Sequence, residues 1–189
     1  MPSLTTATIC IAVPHLILGV MALARPDTLR EGLLKLPRNK PFYIGLTVIN
    51  LAWITYLTLT NTLPFPVLEQ NKQLILIITP VLAWAIPRYL HELLGARALG
   101  GFLLLACVPV FEAGFLKPSL LKLVITTTAY GWVLVGMLLV IHPFRFHRSL
   151  RWIGASLGRW RIVAVLTLIY SASLIALLLT GAGSLSPGN

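Results

Sequence analysis

Six long apolar runs, separated by short polar or proline-bearing breaks, set the pattern of this chain; they cover about residues 4–24, 42–60, 74–90, 98–116, 120–141 and 162–182. Each approaches the roughly 20 residues that a helix needs to cross a hydrocarbon core. Alternation with a period of two is absent, so helices rather than a barrel are expected. The pattern predicts an all-α, polytopic membrane helix bundle with six transmembrane helices. The third run is the least clean, since Pro80 and Pro87 interrupt it, and Pro14 and Pro109 sit inside the first and fourth. Gly95 marks a tight turn between the third and fourth runs.

Two connectors have a helical period of their own. From Arg25 to Lys40, Thr28 and Glu31 have the spacing of a capping box, Leu29, Leu33 and Leu36 fall on one face, and Pro37 stops the pattern. From His142 to Trp160, Phe146, Leu150, Ile153, Leu157 and Trp160 recur at steps of four and three. Both are expected to lie as amphipathic helices in the membrane interface.

Composition agrees with this pattern. Of 189 residues, 57% are hydrophobic and 11% charged, with a mean hydropathy of +0.88. A soluble domain carries charge on about a quarter of its residues. One integral-membrane domain over residues 1–189 is expected. The formal net charge of +10 changes the picture further. Its basic residues gather at the ends of apolar runs, which favours anionic lipid over nucleic acid as the partner. Connectors one, three and five hold twelve of the fifteen Lys and Arg residues; the opposite side holds Lys72, Lys117 and Lys122. The imbalance predicts that the odd connectors are cytoplasmic and that both termini lie outside. Cys10 and Cys107 both lie within apolar runs and are expected to be packing residues rather than a disulfide or metal pair.

Polar groups within the runs are the candidate chemistry. Glu112, His15 and Asn50 form the intramembrane set, and an ionisable residue in a span is a functional candidate by default. Glu112 lies one turn after Pro109 and near Lys117 and Lys122, so an interfacial ion pair competes with a proton or cation site or a contact to a partner subunit. His15 has no second histidine at its depth, so haem is not expected, and bonding to a nearby carbonyl is the simpler reading. Arg88, His91, Glu92 and Arg97, with His142 as a possible neighbour, make a cytoplasmic-face candidate for an anion or lipid headgroup; Arg88 and Glu92 have the spacing of a helical ion pair. Arg145, Arg148, Arg151 and Arg159 are candidate interfacial lipid contacts. Thr126, Thr127 and Thr128 suit interhelical hydrogen bonds, and Ala96/Gly100 and Ala172/Ala176 are small pairs that permit close helix approach. No catalytic motif or metal-ligand spacing is visible, and no cofactor is predicted.

The HELLGARALGG turn, the PVFEAGF segment and the AYGWVLVGM run followed by His142-Pro143-Phe144 resemble a group of small bacterial polytopic membrane proteins. The resemblance covers about residues 74–148, with Glu92, Arg97, Gly100, Pro109 and Glu112 in the matching slots and His91 where an acid is expected. It implies a six-span inner-membrane fold centred on this hairpin and brings no activity with it.

The functional expectation is a non-catalytic integral inner-membrane protein, an accessory or scaffolding subunit or assembly factor, bound to other membrane subunits or to itself. A small transporter or channel with Glu112 and His15 on its pathway is the alternative. A lipid-modifying membrane enzyme is the third.

Overall fold

A computed structural model describes residues 3–35, 39–61, 69–89, 94–114 and 119–180. Among them are eight helices and no strand: α1 Leu4–Ala24, α2 Pro26–Lys35, α3 Lys40–Thr60, α4 Lys72–Tyr89, α5 Leu94–Gly114, α6 Leu120–Ile141, α7 Pro143–Gly154 and α8 Leu157–Leu179. The all-helical bundle expected from the apolar runs is present. Five helices are long and apolar enough to cross a membrane: α1, α3, α5, α6 and α8. The six-span expectation is met for five only. α4 is 18 residues long and carries Lys72 and Arg88 near its ends, which shortens its apolar stretch.

Two antiparallel pairs form the centre, α1 with α8 and α5 with α6. In the first, Gly19 meets Leu168, and the Trp160 indole Nε1–H donates to the Ala22 carbonyl at 2.9 Å. In the second, Gly100 lies against Gly136, and Cys107 donates through Sγ to the Leu103 carbonyl and lies 3.2 Å from that of Ala129. One buried cluster joins the pairs, built from Leu4, Ala7, Ile11 and Ala12 of α1, Cys107, Val110 and Ala113 of α5, Leu121, Ile125 and Ala129 of α6, and Leu174 of α8. All of these lie toward one end of the bundle. At the other end, Ala22, Trp160 and Ala164 pack with Leu29, Leu33 and Ile153, tying α1 and α8 to the amphipathic helices.

α3 packs on α5, and α4 packs on α3. Asn50 reaches Ala98 and Trp53 reaches Phe102, so α3 and α5 run parallel. Thr55 bonds Thr79 at 2.7 Å, and Lys72 Nζ donates to the Asn61 carbonyl at 2.8 Å, so α4 runs antiparallel to α3. α4 has no buried residue.

Several boundaries differ from the sequence expectation. α5 begins at Leu94 with Gly95 buried inside it, so Gly95 is not the turn. α8 begins at Leu157, so Leu157 and Trp160 belong to the spanning helix and not to the connector; the break falls at Ala155 and Ser156. The capping box at Thr28 does not form, because α2 starts at Pro26, whose fixed φ and missing N–H suit a first helical position. α1, α4 and α5 continue through Pro14, through Pro80 and Pro87, and through Pro109. The connector residues Leu36 and Pro37 lie outside the described residues.

Candidate functional site

The three intramembrane candidates, Glu112, Asn50 and His15, lie at different places in the bundle. Glu112 is exposed near the end of α5, two residues before Gly114. It makes no ion pair with Lys122, whose alkyl chain instead lies along Gly114. Lys117, the other expected ion-pair partner, lies outside the described residues. Glu112 is thus a carboxylate on an apolar spanning helix with no partner among the described residues.

Asn50 packs on α5 toward the opposite end of that helix from Glu112. Its Nδ2 donates to the Ala98 carbonyl at 2.7 Å, against the open backbone of Gly101, where an added Cβ would stand 3.2 Å from Nδ2. Its Oδ1 is buried with no donor. A buried carbonyl oxygen left this way costs about 1–3 kcal/mol, a cost that helix packing carries here.

His15 is at the centre of a polar and aromatic cluster that joins both helix pairs. Its Nδ1 lies 2.7 Å from the Ile11 carbonyl. A carbonyl only accepts, so Nδ1 carries the proton and, in the neutral ring, Nε2 is an acceptor. The ring stacks on Trp132 of α6 with centroids 6.4 Å apart and planes within 9°. It meets Tyr170 of α8 edge-on at 5.4 Å. Thr128 gives its hydroxyl proton to the Val124 carbonyl at 2.9 Å, so the 2.7 Å contact with Tyr170 has the tyrosine donating to Thr128. Trp132 and Tyr170 were not singled out from sequence with His15. The available signal is their depth, since Trp and Tyr of spanning helices concentrate at the interfaces and these two lie well inside their runs. Of the three successive threonines, Thr127 bonds back to Leu123 of its own helix, and Thr128 makes the interhelical bond.

Of the residues expected to form a cytoplasmic-face site, Arg88, Arg97 and His142 are described. His91 and Glu92 lie outside the described residues, and with them the Arg88–Glu92 pair. The Arg88 guanidinium lies over the Trp84 ring at 5.4 Å, and Trp84 packs edge-on against Tyr89. Arg97 and His142 are exposed. His142 ends α6, which packs on α5, whereas Arg88 is on α4, which packs on α3.

Arg145, Arg148 and Arg151 are exposed on α7, and Arg159 lies over the Trp152 ring at 4.6 Å. The two amphipathic helices touch, with Gly154 beside Leu34 and Arg30. An open cleft of about 450 Å³ beside α2 is lined by Glu31, Leu34, Lys35 and Asn39, and its charges pair internally through Lys35 and Glu31 at 3.2 Å. Among the described residues, no three His, Cys, Asp or Glu side chains stand together as metal ligands. Cys10 is exposed and Cys107 buried, both as free thiols. No protein-family model, curated protein or solved structure matches the chain.

Proposed function

We propose that the chain is a non-catalytic integral membrane protein of the bacterial inner membrane, acting as an accessory or scaffolding subunit or an assembly factor of a larger membrane complex. The observation that carries this reading is Glu112, a carboxylate facing outward from an apolar helix with no partner among the described residues. An ionised group so placed is costly in lipid and is stabilised by a cationic or hydrogen-bonding group on a neighbouring chain. The broad apolar exposure of α4, where Leu76, Ile77, Val81 and Trp84 are each more than half exposed, leaves a second flank for lipid or a neighbour.

In this reading α4 is a sixth crossing. α3 and α5 run parallel, so the chain has to return to its starting side between them, and α4 runs the right way to do so. The basic residues then place α2 and α7 on the cytoplasmic surface, with Arg145, Arg148, Arg151 and Arg159 facing anionic headgroups and both termini outside.

A transport pathway has less support. Glu112 is exposed, Asn50 bonds across α3 and α5, and His15 lies among α1, α6 and α8, so the three do not share a route; the prolines expected to break the helices do not. A lipid-modifying site has less again, with Arg88 on α4, which packs on α3, and His142 at the end of α6, which packs on α5.

Gentle detergent extraction from the native host, followed by mass spectrometry of everything retained, tests the reading. A defined set of partner chains at fixed stoichiometry is expected. A lone chain or a pure homo-oligomer that conducts ions in liposomes would overturn it.

A further inference from the structure

α6 has three sides. One packs on α5 through Ala129 and Gly136, and a second carries Thr128 and Trp132 toward α8 and α1. The third faces outward. Leu123, Thr127, Tyr130, Leu134, Met137 and Ile141 recur there at steps of four and three, and all are exposed. That spacing holds one face in line along nearly the whole helix, and it is the spacing of a left-handed helix pair. α1 and α8 also expose apolar faces, so exposure and spacing alone mark only contact with lipid. The polar groups within the α6 face set it apart.

Tyr130 stands ten residues from Leu120 and eleven from Ile141, the two ends of α6. At about 1.5 Å per residue, it lies near the middle of a roughly 30 Å hydrocarbon core. Its ring rests on Phe111 of α5, with centroids 5.1 Å apart, and its hydroxyl makes no hydrogen bond among the described residues. Water does not reach that depth, so the hydroxyl proton calls for an acceptor from a neighbour in the membrane. Tyr56 and Tyr89 differ, since they lie toward helix ends, where tyrosine meets the interface. Thr127, one turn nearer the start of α6, has the opposite need. Its hydroxyl donates to the Leu123 carbonyl at 2.8 Å, which leaves its oxygen as an acceptor on the exposed face. Helical side chains lean toward the N-terminus, so the Tyr130 hydroxyl is carried toward the level of Thr127. The two do not bond within the chain.

We propose that this face of α6 pairs with the same face of a second copy of the chain, parallel in the membrane and related to it by a two-fold axis along the membrane normal. Such an axis sets equal residue numbers at equal height. Tyr130 of each copy then donates to Thr127 of the other, and the two bonds form together. The face supplies both donor and acceptor, which is the self-complementarity that a two-fold contact requires. Leu123, Leu134, Met137 and Ile141 pack around the bonds as the apolar layers of the seam. The pairing goes beyond the Glu112 reading and does not rest on it, since a pair of chains serves as well as a single chain as one part of a larger complex.

Donor- and acceptor-tagged copies would be diluted in vesicles of phosphatidylethanolamine and phosphatidylglycerol, with association read by energy transfer. Saturable self-association is expected of the unaltered chain. Tyr130→Phe keeps the ring on Phe111 and removes the hydroxyl; it is expected to weaken association roughly tenfold, as two interhelical bonds are lost together. Thr127→Val is expected to do the same, and the double change to cost no more than either alone, because the two residues share one bond. Glu112→Gln is expected to associate as the unaltered chain does, so failure of this pairing and failure of the Glu112 face are told apart. Disulfide formation gives a second reading, with Cys10→Ser as background and the buried Cys107 retained. Leu134→Cys is expected to link two copies on mild oxidation, and Val135→Cys, exposed but about 100° round the helix, is not. No self-association, additive losses in the double variant, or equal disulfides at the two positions would overturn the pairing. So would linkage of Leu134→Cys to a different protein chain in native membranes.

Discussion

Gly100 and Gly136 face each other across the α5–α6 hairpin with no room for a methyl group on either. A Cβ on Gly100 would stand 2.7 Å from the Gly136 carbonyl oxygen, and one on Gly136 would stand 2.9 Å from the Gly100 carbonyl oxygen. The obstacle on each side is backbone, which cannot turn aside as a side chain can. Close backbone approach of this kind is what drives helix association in a solvent as apolar as the side chains themselves.

Gly136→Ala is therefore expected to open the hairpin and destabilise the fold by about 1–3 kcal/mol, the usual cost of overpacking. Gly131→Ala on the same helix meets nothing within 4 Å and is expected to be neutral or slightly stabilising. Reversible unfolding in mixed micelles would compare the two. Equal effects would show that the close approach does not matter.

Trp160 ties the spanning helix α8 to the end of α1 through its indole N–H on the Ala22 carbonyl. Trp160→Phe retains most of the apolar contact and removes the donor. A loss of about 1 kcal/mol is expected, the net value of such a bond, measured by the same unfolding assay. Trp152→Phe, on an exposed ring, is expected to change little.

The direction of α4 predicts a labelling pattern. Single cysteines in place of Asn61 and Tyr89, in a background with Cys10 replaced by Ser, are expected to react with a membrane-impermeant maleimide from opposite sides of the membrane. Both residues are exposed at the ends of antiparallel helices. Labelling of both from one side would mean that α4 does not cross.

Arg145, Arg148 and Arg151 project from α7 without ion pairs among the described residues. Each is expected to contribute about 1 kcal/mol of attraction to an anionic bilayer surface. The triple change to Gln should reduce the number of anionic lipids that co-purify, read by lipid mass spectrometry, with neutral lipids unaffected.

How much of this was legible beforehand differs from residue to residue. The helical class and five membrane-length helices follow from run length, because a chain in lipid has few ways to satisfy its backbone. Boundaries were less legible. Gly95 and Leu157 carry no local mark that separates a turn from the first turn of a buried helix, and tertiary contact decides both. Small residues gave a mixed signal: Gly100 lies at a helix crossing, as its pairing with Ala96 suggested, whereas Ala172 and Ala176 are exposed. His15 was visible as a polar residue at depth, and its bond to Ile11 follows from spacing along one helix. Its neighbours Trp132 and Tyr170 come from helices far apart in sequence, so only their unusual depth hinted at them. Arg88 is on α4, which packs on α3, and His142 ends α6, which packs on α5; sequence order alone does not say which helices are adjacent.

The central claim is that the Glu112 face meets another protein chain. A photo-reactive amino acid in place of Val108, one turn earlier on the same face of α5, leaves Glu112 intact and would be activated in native membranes. A single discrete protein adduct that disappears when Glu112→Ala is added is the predicted result. Adducts to lipid alone, or the same protein adduct with and without the carboxylate, would contradict the account.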